Sequence, residues 1–517
     1  MSTEQLHRKG TCSQTLNLIF VAIVFLTTLS CENQQPLIQA EHLASSPSVE
    51  ISSIHVTNAK NRDISRYPIA LLSGVVDNNI QQGAAAQDSK QPLASSLLDE
   101  PIQVTNLNNL RPEGTTKALI QRQQFKILVE LVPGVNRLHL SAGAAQTDLE
   151  LTYKPMTTSY RVNIIYVTPS DGNTRYYREN PYAPQDYKDK LDTAAKLLQT
   201  FTAECMNDQG LGRKTFNLEF DKDGKVVIHT LRFPASEKEF KNKSKNGGIA
   251  LYNMLYDWVT QQFPDNHTKN LVMTSVGGAD ILLGKSRMAL LDSTSFYAWP
   301  NDLESVQRAA TDAMPAWGLG AVGSGLHELG HCFGCDHSAD PASIMSIALA
   351  SGMPVSWFCF NRAFTVAEPG WRKKQQELYF YPKSEIPRWE PYYTAQFYYH
   401  RWFQPDAREF HTTPLPTIEI DQPADEIVIR SPYGIGAVQF FGPSIEKTGN
   451  SPPPKKRGFE LFKTIPPTVL RYKRGILRAM VSAPLGADII VTDTEGNVIH
   501  TNEGGRRSDS SADSSYL

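Results

Sequence analysis

The chain has 517 residues, enough for two to four domains. Hydrophobic residues make up 40% and charged residues 20%, a globular composition that excludes wholesale disorder. With 51 basic against 53 acidic residues, a net charge of −2 and no long basic block, the chain lacks the electrostatic footprint of a nucleic-acid binder.

The first 31 residues read as a targeting segment. His7, Arg8 and Lys9 precede the apolar run Leu16 to Ser30, too short for a membrane span but suited to a signal-peptide core. The expectation is an exported, extracytoplasmic protein, secreted or held at the cell surface. A short N-terminal membrane anchor is the competing reading. Thr28, Leu29 and Ser30 before Cys31 come close to a bacterial lipoprotein cleavage box, with the Leu one place late. Lipidation of Cys31 would add a membrane tether. The six cysteines are Cys12, Cys31, Cys205, Cys332, Cys335 and Cys359. Four would remain after processing and lipidation, enough for two disulfides whose pairing the spacing does not fix.

Residues 32–50 are polar and read as a linker. Across 51–156 the pattern is β. In QFKILVELVPGVNRLHLSAG, Phe125, Ile127, Val129 and Leu131 alternate, and a Pro133-Gly134 turn leads to Leu138 and Leu140. DLELTY repeats the alternation. These short strands predict a small β-sandwich, with the polar stretch near Gln81 to Gln91 as a loop. From 157 to 416 the character is α/β. RVNIIYV, KTFNLEF, KVVIHTL and NLVMTSV read as strands. YKDKLDTAAKLLQTFTAECM and IALYNMLYDWVTQQF carry apolar residues at helical spacing. Residues 417–502 return to β, with EIVIRS, IGAVQFF, GILRAMVSA and ADIIVTD as strands. The tail 503–517 is low in complexity and predicts disorder. The fold class expected is multidomain α+β.

One stretch carries chemistry: HELGHCFGCDHSADPASIM, His327 to Met345. Three of the 12 histidines fall within its first eleven residues. His327 and His331 are four apart and share a helix face. Val322, Leu326, Leu329 and Phe333 form an opposite stripe fit for a core. Gly334 lets the chain turn sharply out of the helix, which brings His337 back as a third nitrogen ligand. Three neutral imidazoles suit Zn²⁺, and three ligands instead of four leave one position for water. Glu328 can lie beside that water as general base. The competing closure is a thiolate from Cys332 or Cys335. Cys332 should point ~100° around the helix from His331, and Cys335 could instead pair with Cys359.

HELGHCFGCDH resembles the metzincin zinc-peptidase signature, H-E-x-x-H-x-x-G-x-x-H followed by a methionine turn. HSADPASIM is similar to its matrixin version: Ser after the third His, then Asp-Pro, then Met. The resemblance implies zinc ligands His327, His331 and His337, Glu328 as general base, and Met345 as an apolar floor. Over roughly residues 55–500 the sequence is also similar to a group of zinc metallopeptidases known chiefly from fungi and other eukaryotes. Some of them carry a jacalin-like C-terminal region. The similarity rests on GGADILLGKSRMALLDSTSFYAWP, FNRAFTV, FYYHRWFQPD and EIVIRSPYGIGAVQFF. The chain departs from matrixins in lacking a Pro-Arg-Cys-Gly-type latency segment and the structural-zinc histidines. Ile347 stands where some metzincins have Tyr, so neither a cysteine switch nor a swinging tyrosine is expected.

The resemblance makes 157–416 a metzincin-like α/β catalytic domain flanked by an N-terminal β-sandwich and a C-terminal β-rich domain. In metzincins an edge strand above the zinc helix pairs with an extended substrate, and GADILLGKSRMALLD is the candidate here. The expected function is zinc-dependent endoproteolysis of a protein or peptide, with glycan contact by the C-terminal domain as a further possibility. The alternative is a surface carbohydrate- or protein-binding protein with an inactive metzincin domain. His400, Tyr398, Tyr399 and Trp402 are expected to pack.

Overall fold

The computed structural model describes residues 50–79, 101–109, 111, 114–121, 123–176, 185–245, 248–277, 281–309, 313–338, 340, 342–346, 355–358, 387–442, 457–481 and 487–502. The chain divides into a unit of Met1–Ser48 and a unit of Val49–Leu517, and every described residue belongs to the second. The leader, Cys31, the linker to residue 49, the 81–91 loop, Ile347, Cys359, FNRAFTV and the tail lie outside the described residues. No described helix is long and apolar enough to cross a membrane.

Eight strands open the described chain: β1 (Glu50–Val56), β2 (Asp63–Ser65), β3 (Ile69–Asn79), β4 (Ile102–Asn106), β5 (Thr115–Ala118), β6 (Gln124–Glu130), β7 (Gly134–Ala142) and β8 (Ala145–Tyr153). They form a three-stranded sheet, β1-β3-β6, and a five-stranded sheet, β2-β8-β7-β4-β5. Alternate residues such as Ile127, Val129, Leu138 and Leu140 point into one shared core.

A mixed sheet follows. Its strands are β9 (Arg161–Thr168), β10 (Asn217–Leu218), β11 (Ile228–Arg232), β12 (Thr268–Thr274), β13 (Leu282–Lys285) and β14 (Met288–Leu291). The order is β10-β9-β12-β14-β13, with β11 also on β9, and all pairings are parallel except that of β13 with β14. Helices cover both faces, which is why β9 and β12 read as near-continuous apolar runs. The two-residue period splits them cleanly. Val162, Ile164, Tyr166, Leu271 and Met273 enter one core, whereas Ile165, Val167 and Val272 enter another.

The helices of this part are α1 (Tyr187–Asp208), α2 (Glu237–Lys243), α3 (Ile249–Gln262), α4 (Leu303–Arg308), α5 (Ala313–Cys332), α6 (Val355–Phe358) and α7 (Pro391–Tyr399). The α3 helix packs on the face with Ile165, and α1 and α5 on the face with Ile164. Polar side chains of α1 tie this layer to the first two sheets. Lys196 is 2% exposed and lies 2.6 Å from Glu130 of β6 and 3.0 Å from Asp192. Thr200 donates to the Ile69 carbonyl, and Tyr67 donates to Glu204, which also pairs with Arg213.

The last part holds β15 (Thr417–Asp421), β16 (Glu426–Arg430), β17 (Ile435–Phe441), β18 (Arg457–Leu461), β19 (Val469–Lys473), α8 (Arg474–Met480), β20 (Asp488–Asp493) and β21 (Val498–Asn502). Two antiparallel sheets, β15-β16-β19 and β18-β17-β20-β21, share a core of Ile427, Ile429, Val438, Phe440, Leu477 and Val491. Of GILRAMVSA, expected as a strand, Gly475 to Met480 lie instead in the helix α8. Leu477 is its buried residue and Val481, at its C-cap, is buried as well, while Ile476 and Met480 remain exposed. Leu, Arg, Ala and Met are also strong helix formers.

Candidate metal centre

The α5 helix delivers the first part of the site. Val322, Leu326, Leu329 and Phe333 are buried in the large core, so the face carrying His327 and His331 is set by packing. The helix ends in a Schellman turn. The Gly334 N–H donates to His331 O, the Cys335 N–H donates to Gly330 O, and Gly334 has φ +86. A side chain at Gly334 would be strained there, so the glycine is what lets the chain reverse toward His337.

The reversal gathers all three histidines. One ring nitrogen from each of His327, His331 and His337 lies within 4.8 Å of the others, and His331 Nε2 is 3.2 Å from His337 Nε2. Two rings are oriented from behind. His327 Nδ1 is 2.7 Å from the Ile344 carbonyl, and His331 Nδ1 is 2.8 Å from the Cys335 carbonyl. A carbonyl accepts only, so each Nδ1 carries the proton and each Nε2 keeps its lone pair for a cation. Burial lowers the pKa of all three, that of His327 to about 4, which keeps the imidazoles in their metal-binding neutral form. The donor set therefore fits a divalent ion such as zinc.

Met345 is fully buried beneath α5. A Cβ on Gly330 would sit 2.4 Å from Met345 Sδ, so the methionine and the helix backbone touch directly. The Cys332 thiol is buried and unbridged, and burial pushes it up to about 12. A thiol that hard to ionise is a poor metal ligand. Cys335 is also buried, and its suggested partner Cys359 lies outside the described residues.

Glu328 lies against β13. The Gly284 N–H donates to its carboxylate, and burial pushes the carboxyl up to about 8 against that bond. A cation held by the adjacent imidazoles would pull the value back down. The contact is backbone on backbone: a Cβ on Gly284 would fall 2.1 Å from the Glu328 carbonyl oxygen. Gly284→Ala is therefore expected to cost about 1–3 kcal/mol by overpacking. The fall in the urea midpoint measures it.

Within GADILLGKSRMALLD, Leu282 to Leu291 form a hairpin, and its first strand, β13, is the edge of this sheet among the described residues. His400 and Trp402 are buried among aromatic rings, as expected of packing residues. Residues that sequence reasoning missed complete the surroundings. The Arg388 N–H donates to Ala342 O, and Arg388 O accepts from Ile344 N–H. Tyr393 donates its hydroxyl to Asp336 O, and Gln396 Nε2 donates to Phe333 O at 3.0 Å. The local signal for this helix was Pro391 at its first turn after Glu390.

Two imidazoles on one helix face, a third from the turn beyond it and a buried carboxylate next in sequence to the first make a grouping able to hold a divalent metal ion. Comparison with known proteins makes the assignment more particular. The model of the family described as "Putative peptidase family" matches residues 53–428, and the chain belongs to that family. A "Putative zinc metalloproteinase" of Schizosaccharomyces pombe is 24% identical over 326 residues, covering 53% of this chain and 50% of the relative. One of Saccharomyces cerevisiae is 24% identical over 287 residues, covering 42% and 40%. The chain thus spans half or less of the length of these curated relatives. Among solved structures, catalytically inactive OgpA from Akkermansia muciniphila in complex with an O-glycopeptide substrate is 16% identical. It has a TM-score of 0.40 over 67% of this chain and 92% of that one.

Proposed function

We propose that this chain is a zinc-dependent endopeptidase of metzincin type, with His327, His331 and His337 as metal ligands and Glu328 as general base. The observation that carries the reading is the convergence of three neutral imidazoles beside a buried carboxylate that the edge strand holds. Bound there, zinc supplies Lewis-acid polarisation of a carbonyl and acidifies a water molecule.

The protein's own groups do the rest. Glu328 accepts the proton of the attacking water and passes it to the leaving nitrogen. Gly284 fixes the carboxylate, so less ordering is left for the moment of reaction. No described strand pairs with the outer edge of β13, where Leu282 is exposed. That edge suits an extended peptide added as a further strand, a mode that binds through backbone and tolerates many side chains.

The leader-like N-terminus supports an extracytoplasmic location, with Cys31 as the candidate tether, and the C-terminal sheets are candidate glycan contacts. The reading is tested by incubating the purified protein with a casein or peptide library. Cleavage is expected, a chelator abolishes it and added zinc restores it. Cleavage indifferent to the chelator, or none in the zinc-loaded protein, defeats the proposal and favours a binding role.

A further inference from the structure

We propose that Tyr393, Gln396 and Gln439 are positioning residues for the metal-binding turn, which makes the C-terminal β part a component of the metal centre. The inference rests on the reading of the three histidines as ligands.

Three backbone carbonyls of the turn between His331 and His337, those of Phe333, Cys335 and Asp336, accept side-chain donors. The Cys335 oxygen takes His331 Nδ1–H. The other two are met from α7. The Asp336 oxygen accepts the Tyr393 hydroxyl, and the Phe333 oxygen accepts Gln396 Nε2–H at 3.0 Å. The Asp336 carbonyl shares one planar peptide with the nitrogen of His337. A donor fixed on that oxygen therefore sets the plane from which His337 departs. The Phe333 carbonyl caps the end of α5, where an unmet acceptor would be costly in this buried setting.

The donors are themselves held. Gln439 Nε2 of β17 donates to Gln396 Oε1 at 3.0 Å, and both side chains are 1% exposed. The amides thus form a directed relay, Gln439 to Gln396 to the Phe333 carbonyl. The pairing of β17 with β20 shifts register between Ile435 and Ala437, and beyond it side chains alternate between the two faces. Val438 and Phe440 enter the C-terminal core, while Gln439 and Phe441 face α7, with Phe441 in the large core. A buried amide pair is expensive where apolar packing would serve, unless its last donor does something that packing cannot.

The same segment also reaches the other anchor. The Ile344 carbonyl that orients His327 belongs to a residue whose N–H donates to Arg388 O at 2.9 Å. The Trp389 ring reaches Gly330 beside Met345. One stretch, Arg388 to Gln396, therefore braces both sides of the histidine group.

The experiment compares the full chain with Tyr393→Phe, Gln396→Met and a control, Tyr472→Phe, which loses a hydroxyl bonded to Glu460 in the C-terminal sheets. Zinc affinity is read by competition with a chromophoric chelator, and ligand geometry by the visible spectrum of the cobalt(II) form. Tyr393→Phe and Gln396→Met should weaken zinc binding by about 10–100-fold and alter the cobalt spectrum, with the control matching the parent. Affinities within about twofold of the parent and an unchanged spectrum would overturn the proposal. So would an equal loss in the control. If Gln396→Met does not fold, Tyr393→Phe decides alone, since it removes a single oxygen. A parent that binds neither metal refutes the zinc reading itself, whereas a metal-binding parent with unaffected variants refutes only the positioning role.

Discussion

Glu328→Gln is expected to lower kcat for peptide hydrolysis by about 10²–10⁴-fold, the range that a positioned general base supplies. The substitution keeps the shape and can still accept the Gly284 N–H through its amide oxygen. It removes the ability to take a proton. Zinc content should be unchanged, because the three imidazoles and the carbonyls behind two of them are untouched. Since the loss is one of proton transfer, KM should move little while kcat falls. Parallel zinc analysis and kinetics on one peptide check this. An activity within a few fold of the parent would remove Glu328 from the mechanism.

Lys196→Ala is expected to destabilise the protein by about 3–5 kcal/mol, the cost of breaking a buried ion pair from one side. The ammonium sits between Glu130 and Asp192, and its loss strands both carboxylates in a water-poor seam. Lys225 lies 3.6 Å from Asp192 and offsets part of the cost, but Glu130 has no such second cation among the ion pairs of the described residues. Lys196→Met should behave similarly, because the missing charge, not the missing volume, dominates. Urea unfolding followed by tryptophan fluorescence gives the midpoint shift. A change below about 1 kcal/mol would mean that the seam is wetter than its burial implies.

Much of the candidate site was legible because its chemistry is local. His327, Glu328, His331, Gly334 and His337 lie within one helix end and its turn, where a 3.6-residue period and a left-handed glycine fix the outcome. The strands β9 and β12 and the helices α1 and α3 were legible for the same reason, since periodicity acts over a few residues. The hairpin of β13 and β14 was less so. Its turn is Ser286-Arg287, with Ser286 at φ +54, and contains none of the Gly, Asn or Asp that usually announce such a turn. The segment GILRAMVSA, expected as a strand, is a short and largely apolar run, for which strand and helix look alike by pattern. The brace formed by Arg388, Tyr393 and Gln396 was not legible at all. Its bonds join residues 44 to 63 positions apart, and no local pattern encodes such pairings.

The most direct measurement is the metal content of the purified chain beside that of His337→Ala. One zinc per chain is expected in the parent and none in the variant, with the secondary structure of both alike by circular dichroism. A parent that holds no zinc after equilibration with it, or a variant that retains it as tightly, would rule out the three histidines as the metal site.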